Sequence, residues 1–213
     1  MAHSLEQNLT AEALFLFSLT LIAFFTSILV AFLTWLQRKD KMSKYFVMVL
    51  VSTAIWSIMH GLQIVVSDLD LKLIFSKLTY LGMTLLPPSW FIFASMYTRE
   101  SFRIVERKPY LLYIIPLITL FLRLTDDFHH LVWSSSSTIR IYGVTMPLSR
   151  YGPWFWVFAV YSYFLVFAGS GLLLKEAMGY PSLYKKKPTL ILSLIHISEP
   201  TRPRLISYAV FCL

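Results

Sequence analysis

The densest group of residues that could do chemistry lies in the stretch LTDDFHHLVW, residues 124–133. Carboxylates and imidazoles this close together could bind a metal ion, sense pH through histidine, or cover a ligand cavity. Adjacent histidines point in different directions on a helix, and no second pair of ligands accompanies them, so we expect no metal site. A sensing role and a plain interfacial loop both stay open. The candidate residues are Asp126, Asp127, His129, His130 and Trp133.

His60 is a further candidate, because it is an ionisable residue inside a long apolar stretch. Thr53, Ser57 and Gly61 recur beside it at four-residue spacing and form a small-residue face that suits close helix contact. An ionisable group inside a membrane helix is a functional candidate by default. A neutral histidine that is hydrogen-bonded between two helices would explain the same pattern.

Lys77 and Arg123 lie near the ends of two other apolar stretches. Each side chain is long enough to place its charged end among lipid headgroups. Each could instead bind an anion or pair with an aspartate, and Lys77 is kept as a candidate for sensing. The possible partners are Asp68, Asp70, Asp126 and Asp127.

Pro87 and Pro88 stand together in the apolar stretch LGMTLLPPSWFIFASMYT, residues 81–98. Together they remove two helix donors, so we expect the helix to bend or break there. Such a break could serve as a hinge or line a ligand cavity, as in transporters. A fixed kink that neighbouring helices fill is the alternative.

The sequence contains no set of residues typical of catalysis. It has no glycine-rich phosphate loop, no GxSxG, no HExxH and no spaced pair of carboxylates inside an apolar stretch. We therefore expect no enzymatic activity in this chain and no cofactor. The apolar stretches at residues 11–36 and 154–174 carry no ionisable group past their ends, which argues against an ion-coupled transporter.

The amino-acid composition indicates whether water or lipid surrounds the chain. Of the 213 residues, 57% are hydrophobic and 14% are charged, whereas a soluble domain carries about 25% charged residues. We therefore expect a lipid bilayer around most of the chain. The net charge of +8 comes from short cationic runs between apolar blocks, as in cytoplasmic loops, and does not indicate nucleic-acid binding. The single cysteine, Cys212, excludes a disulfide framework.

A membrane-spanning helix needs about 20 mostly apolar residues. The sequence accordingly predicts an all-α, polytopic transmembrane helix bundle with five complete spans and the start of a sixth. A long polar connection precedes the fifth span, and alternation over residues 139–144 predicts a short hairpin within it. The predicted spans are residues 11–36, 45–66, 74–97, 109–124 and 154–174, with the sixth beginning near residue 188.

Loop charges predict the orientation. The first, third and fifth loops are rich in lysine and arginine, whereas the second and fourth contain the acidic residues Asp68, Asp70, Asp126 and Asp127. Cationic loops stay in the cytoplasm, so the N-terminus is expected on the outside. Tyr151, Trp154 and Trp156 are typical of aromatic residues at an outer membrane surface.

The last segment, residues 192–213, differs from the rest of the chain. Its first part, residues 192–202, and its end, residues 206–213, resemble one reading frame of the two ends of an adapter used in sequencing libraries, with an index-sized gap between them. We therefore expect residues 1–191 to form a transmembrane domain that is cut within its sixth helix. Residues 192–213 are predicted to be an artefact and not a domain.

Landmarks in the third, fourth and fifth spans carry a resemblance to a known family. The stretches are LTYLGMTLLPPSWFIFASMYT, PYLLYIIPLITLFLRLTDDFHHLVW and YGPWFWVFAVYSYFLVFAGSGLLL. Together they resemble the N-terminal seven-helix sensor region of membrane histidine kinases. The matching residues are Gly82, Pro87, Trp90, Tyr97, Pro116, Thr125, His129, Leu131, Trp133, Gly152, Trp154, Tyr161 and Tyr163.

The resemblance implies a seven-helix sensory input domain of a two-component signalling protein, in the cytoplasmic membrane of a prokaryote. It also implies a kinase, PAS or cyclase module after the last helix, and a homodimeric intact protein. An unknown small ligand or membrane stimulus would act near His60, Lys77 and residues 126–133. A fragment of a small transporter or permease is the alternative, and it predicts a second broken helix.

Overall fold

The computed structural model describes residues 2–66, 68–98, 105, 107–141 and 144–179. Contacts divide the chain into two units, residues 1–173 and 174–213. In the second unit the structure describes residues 174–179, which are helical. The predicted start of a sixth span near residue 188 and the predicted adapter-like tail both lie outside the described residues.

The described elements are helices and one two-stranded sheet. A 3₁₀ turn (Pro109–Tyr113) leads directly into the helix that follows it, and the helix Asp126–His129 is a single turn. In chain order the elements are α1 (Ala2–Gln37), α2 (Lys41–Val65), α3 (Leu69–Tyr97), α4 (Ile114–Leu124), α5 (Asp126–His129), β1 (Trp133–Ile141), β2 (Val144–Tyr151) and α6 (Pro153–Gly179). The fold is therefore helical, as predicted, with a hairpin in the long polar connection.

Two aspartates begin the second and third helices. Asp40 accepts hydrogen bonds from the backbone N–H of Ser43 at 3.1 Å and from its hydroxyl at 2.7 Å. Asp68 accepts the backbone N–H of Leu71 at 2.9 Å. Aspartate is a favoured residue at this position because it accepts a hydrogen bond from a free amide of the first turn. Its negative charge is also stabilised by the positive end of the helix dipole.

Within the part of the chain that the structure describes, three helices are long and apolar enough to cross a membrane: Ala13–Gln37, Lys41–Val65 and Pro153–Met178. The five complete spans predicted from the sequence are therefore not supported. The apolar helix Pro109–Leu124 is too short by that measure, since its residues extend roughly 26 Å and the hydrocarbon core is about 30 Å thick. α3 has 29 residues but carries charges in its first turns and many hydroxyl groups along its length.

The hydroxyl groups of α3 are buried inside the bundle. Thr84, Ser89 and Ser95 are at most 1% exposed, and each donates a hydrogen bond to the carbonyl four residues earlier. Because these groups are satisfied within their own helix, α3 can be polar and still pack at the centre. α1 and α6 instead expose large apolar side chains, among them Phe25, Phe32, Phe164 and Phe167.

Two glycines allow neighbouring helices to approach closely. A Cβ atom on Gly82 of α3 would lie 2.3 Å from the carbonyl oxygen of Ser52 in α2. One on Gly61 of α2 would lie 2.2 Å from the hydroxyl of Thr20 in α1. Gly61 therefore lies at a close contact between helices, as the predicted small-residue face suggested.

α3 continues without interruption through Pro87 and Pro88, and both are buried. The helix is not broken there, so the structural reason for expecting a transporter-type interrupted helix is lost. Ser89, which follows the prolines, shares a hydrogen bond of 2.9 Å with the Tyr113 hydroxyl before α4. The hinge role of the two prolines stays a prediction.

The hairpin is longer than the alternation at residues 139–144 predicted. β1 and β2 pair antiparallel with Ile139 opposite Met146 and Trp133 opposite Tyr151. The register shifts between Trp133 and Ser135, which is the point where the hairpin meets the helices. Irregularities of this kind change the direction of a strand.

Candidate functional site

Arg123 and Asp126 form a buried ion pair where α4 ends and α5 begins. Arg123 Nη1 donates to Asp126 Oδ2 at 3.1 Å, and the side chains are 4% and 3% exposed. Arg123 Nη2 donates to the Ser76 hydroxyl of α3, also at 3.1 Å. Removing one member of such a pair leaves an uncompensated buried charge, which is costly. The pair therefore joins the end of α4 to α5, and the Arg123 bond to Ser76 ties it to α3.

The Asp126 carboxylate also holds the chain that leads into the hairpin. Oδ1 accepts the backbone N–H of Val132 and Oδ2 accepts that of Trp133, both at 3.0 Å. The chain reaches this position because His130 adopts a left-handed conformation, with φ of 53°, just after α5. One carboxylate thus links α4, α5 and the first residue of β1.

Two aromatic residues cover the Arg123 guanidinium. Its central carbon lies 3.9 Å from the centre of the Trp133 ring and 5.4 Å from that of Tyr80. The Trp133 indole N–H donates to the Tyr80 hydroxyl at 3.3 Å. Aromatic faces attract cations, more strongly where water is excluded. We call Ser76, Tyr80, Arg123, Asp126 and Trp133 the Arg123 cluster.

The Arg123 Nε atom is buried without a hydrogen-bond partner, and among the described residues the Ser162 hydroxyl is the other side-chain atom in this condition. A guanidinium has five N–H donors. Arg123 therefore satisfies its charge mainly through Nη1, Nη2 and the two rings.

A second ion pair runs beside the first at the surface. Lys77, which follows Ser76 in α3, donates to Asp127 Oδ2 at 2.5 Å, and the side chains are 22% and 69% exposed. The hydrogen bond from Lys77 lowers the pKa of Asp127 below its ordinary value of 3.8. An exposed pair contributes little to stability, so Lys77 and Asp127 reinforce the same joint only weakly.

His129 is half-buried beside the cluster and both of its ring nitrogens are used. Nδ1 accepts the backbone N–H of Leu131 at 3.2 Å, and Nε2 lies 3.0 Å from the Thr125 hydroxyl. That hydroxyl donates to the Phe121 carbonyl at 2.9 Å, so it accepts from Nε2. The hydrogen-bond network therefore assigns a neutral ring with its proton on Nε2.

The hairpin side of the site is joined to the start of α6. Trp154 donates its backbone N–H to the Leu131 carbonyl at 3.1 Å, and Gly152 donates its own to the Val132 carbonyl at 2.8 Å. The Trp154 indole N–H donates to the Thr119 hydroxyl of α4 at 3.0 Å. The segment that Asp126 holds is therefore also the segment to which α6 is bound.

The residues singled out from the sequence fall into two groups. The structure brings six of them together at the joint where α4 ends and α5 begins. It places His60 on an exposed part of α2, without a described contact to the cluster. His130 is exposed and adjoins the joint. Within the described residues, no group of three or more histidine, cysteine or acidic residues could hold a metal ion. The six are Lys77, Asp126, Asp127, His129, His130 and Trp133.

Sequence reasoning missed two members of the cluster and left Arg123 out of the candidate residues. Ser76 and Tyr80 were not singled out, although Ser76, Tyr80 and Thr84 recur every four residues along α3 and are all buried. That spacing marks one face of a helix. A hydroxyl face beside an arginine was the signal available in the sequence.

Comparison with known proteins gives one result. The family model described as the N-terminal 7TM region of histidine kinase matches residues 19–198 of the 213. No curated protein and no solved structure matches the chain. The family match extends past residue 192, where the adapter-like tail was predicted to begin, and that tail stays a prediction. The chain therefore belongs to the family of N-terminal seven-transmembrane regions of histidine kinases, which are membrane-embedded sensory input regions.

Proposed function

We propose that the chain is the input region of a longer histidine kinase and that the Arg123 cluster passes a stimulus from the hairpin to the helices. The observation that carries this proposal is the Asp126 carboxylate. It accepts two backbone N–H groups at the start of β1 and one guanidinium N–H from α4. The same guanidinium reaches α3 through Ser76.

These bonds make the hairpin and the helices mechanically dependent on each other. A ligand or membrane stimulus that displaces the hairpin has to break the two amide bonds to Asp126 or move Asp126 with it, and a moving Asp126 has to carry Arg123 along or break the buried ion pair. Breaking the pair is costly, so two packings that both keep it are favoured over a gradual separation. A stimulus that binds one packing better than the other shifts the population towards it.

We place the joint on the outside of the prokaryotic cytoplasmic membrane. It lies at the end of the bundle where α2 ends and α3 begins, and the loop there contains Asp68 and Asp70. The opposite end of α2 begins at the cationic run of Arg38, Lys39 and Lys41. Under the positive-inside rule this arrangement supports an outside N-terminus.

We further propose that α3 and α4 also cross the membrane, giving five crossings up to Gly179. α3 is shielded by its neighbours, so its hydroxyl groups need not meet lipid. Arg123 lies in the last turn of α4 and Lys77 lies eight residues after the start of α3, and each long side chain reaches a partner there, Asp126 and Asp127 respectively. The intact kinase would be a homodimer, and this part of it would carry no catalytic activity.

The test is autophosphorylation of the parent kinase in proteoliposomes. Asp126→Asn should change the basal rate at least about fivefold, the effect of a coupling free energy near 1 kcal/mol. Ser76→Ala, which leaves the ion pair intact, should change the basal rate in the same direction. It serves as the test variant if Asp126→Asn folds poorly. The matched control is Asp70→Asn, an exposed aspartate at the same end of the bundle. Wild-type rates in both test variants would overturn the proposal.

A further inference from the structure

The hydrogen bonds of His129 require a neutral ring, and protonation of that ring would break one of them. Its Nδ1 atom is the acceptor for the Leu131 amide at 3.2 Å. A doubly protonated imidazole has two donors and no acceptor. Protonation at Nδ1 would therefore remove this bond and set two N–H groups against each other at the same position.

The charged groups around His129 offer the new proton another acceptor. Asp126 Oδ1 lies 3.7 Å from Nδ1 and accepts the Val132 amide. The other oxygen of Asp126 faces Arg123 of α4, which in turn lies over Tyr80 of α3. A protonated His129 would compete with the Val132 amide for Asp126.

The remaining titratable groups at the joint are already paired or exposed. Asp127 is bound to Lys77 of α3, and His130 is exposed in the same turn as His129. Histidine is the side chain whose ordinary titration falls between about pH 5 and 8. His129 is thus the histidine at this joint whose hydrogen bonds require a neutral ring.

Loss of the Leu131 amide bond would be felt at the start of α6. The Leu131 carbonyl accepts the Trp154 amide at 3.1 Å. The fit there is tight, because a Cβ atom on Gly152 would lie 2.1 Å from the same carbonyl oxygen. Leu131 cannot turn freely while it holds α6, so a change at its amide would be transmitted to Trp154.

We propose that His129 is a proton-operated switch, whose protonation releases the Leu131 amide and changes the attachment of the first turn of α6. The inference rests on the proposed function, for which it names the proton as one stimulus. The step is a proton transfer from solvent to Nδ1 and needs no other reactant. The stimulus would then be acidification on the side of the membrane where the hairpin lies.

The experiment follows amide resonances of the full 213-residue chain in lipid nanodiscs between pH 8 and pH 5. At pH 8 the His129 ring should show the tautomer with its proton on Nε2. The Leu131 and Trp154 amides should then shift with one common midpoint, together with the ring. His129→Gln should abolish the transition at both amides, whereas His130→Asn, which tolerates the left-handed conformation, should preserve it.

Three results would overturn the inference: Leu131 and Trp154 amides that stay constant while the ring titrates, a transition that survives His129→Gln, or one lost in His130→Asn. The wild-type titration alone decides the matter if His129→Gln fails to fold. The two proposals fail separately. If the Leu131 and Trp154 amide shifts stay constant while Asp126→Asn alters the autophosphorylation rate, only the proton switch is refuted. If the amides shift with pH while the autophosphorylation rate stays that of the wild type, the signalling role of the cluster is refuted.

Discussion

The guanidinium carbon of Arg123 lies 3.9 Å from the centre of the Trp133 ring. Arg123 belongs to the last turn of α4, and Trp133 is the first residue of β1. The Asp126 carboxylate accepts one hydrogen bond from the Arg123 side chain and one from the Trp133 backbone. The three residues therefore form a joint in which the start of the hairpin cannot separate from α4 without exposing or abandoning a buried charge.

Replacing Asp126 by alanine should destabilise the chain strongly. The change leaves Arg123 buried without its partner and two amides without an acceptor, so the free energy of unfolding should fall by about 3–5 kcal/mol. Denaturant titration in detergent measures this. Asp127→Ala is the control, and because Asp127 is exposed its effect should stay below about 1 kcal/mol. Equal effects in the two variants would show that the Asp126 pair carries no special weight.

Trp133→Leu should weaken the same joint in a smaller and distinct way. It removes the ring over Arg123 and the hydrogen bond to Tyr80 but keeps the Asp126 bond to the backbone of residue 133. We expect a loss of about 1–2 kcal/mol in the free energy of unfolding. Trp156→Leu, at a side chain that is 60% exposed, is the matched control. A loss no larger than that of the control would contradict the contact.

Gly152→Ala should disturb the attachment of α6. The added methyl group would lie 2.1 Å from the Leu131 carbonyl oxygen, which is backbone and cannot simply swing aside. Gly171→Ala is the matched change, because a Cβ atom there meets nothing within 4 Å. The first variant should lower the thermal midpoint in nanodiscs, whereas the second should leave it unchanged or raise it slightly, since alanine favours helix. A neutral Gly152→Ala would show that the contact is loose.

The Lys77–Asp127 pair should give a pH dependence at the acid end. The bond from Lys77 lowers the pKa of Asp127 below its ordinary value of 3.8. A lowered carboxyl pKa adds stability above the unfolded value, and this is lost as the pH falls through the folded value. Stability of the wild type relative to Asp127→Asn should therefore be constant above about pH 5 and shrink below about pH 4. A difference that grows on acidification would refute the assignment.

Orientation can be measured with single cysteines in a Cys212→Ser background. Ser134 and Lys39 are both exposed, and they lie at the hairpin and at the loop before α2. A membrane-impermeant maleimide should label Ser134→Cys in intact cells and Lys39→Cys only after permeabilisation. The reverse pattern would place the hairpin in the cytoplasm.

Local sequence patterns were enough to predict the helices, the polar hairpin connection and the grouping of residues 126–133. The aspartate caps at Asp40 and Asp68 and the glycine contacts also follow from residue type. The pairing of charged residues could not be predicted from residue type. Four aspartates were open to Lys77 and Arg123. Arg123 pairs with Asp126 three residues later in the chain, whereas the pair of Lys77 with Asp127 joins α3 to α5 and depends on how the helices pack. The number of spans is a related case: three described helices are long and apolar enough to cross a membrane, and the polarity of α3 reflects its neighbours in the fold.

The hinge at Pro87 and Pro88 shows another limit. A proline pair predicts lost hydrogen bonds, but whether the helix stops there depends on what surrounds it. In α3 both prolines are buried and the helix continues. His60 is a comparable case, because its place inside a long apolar stretch made it a candidate, whereas the structure leaves its side chain exposed on α2.

Hydrogen exchange of the Val132 and Trp133 amides tests most directly whether Asp126 joins the hairpin to the helices. Both amides donate to the Asp126 carboxylate. In the wild-type chain in nanodiscs they should exchange slowly. In Asp126→Ala they should exchange much faster, while amides in the middle of α2 keep their protection. Val132 and Trp133 amides that exchange at the same rate in both proteins would contradict the account.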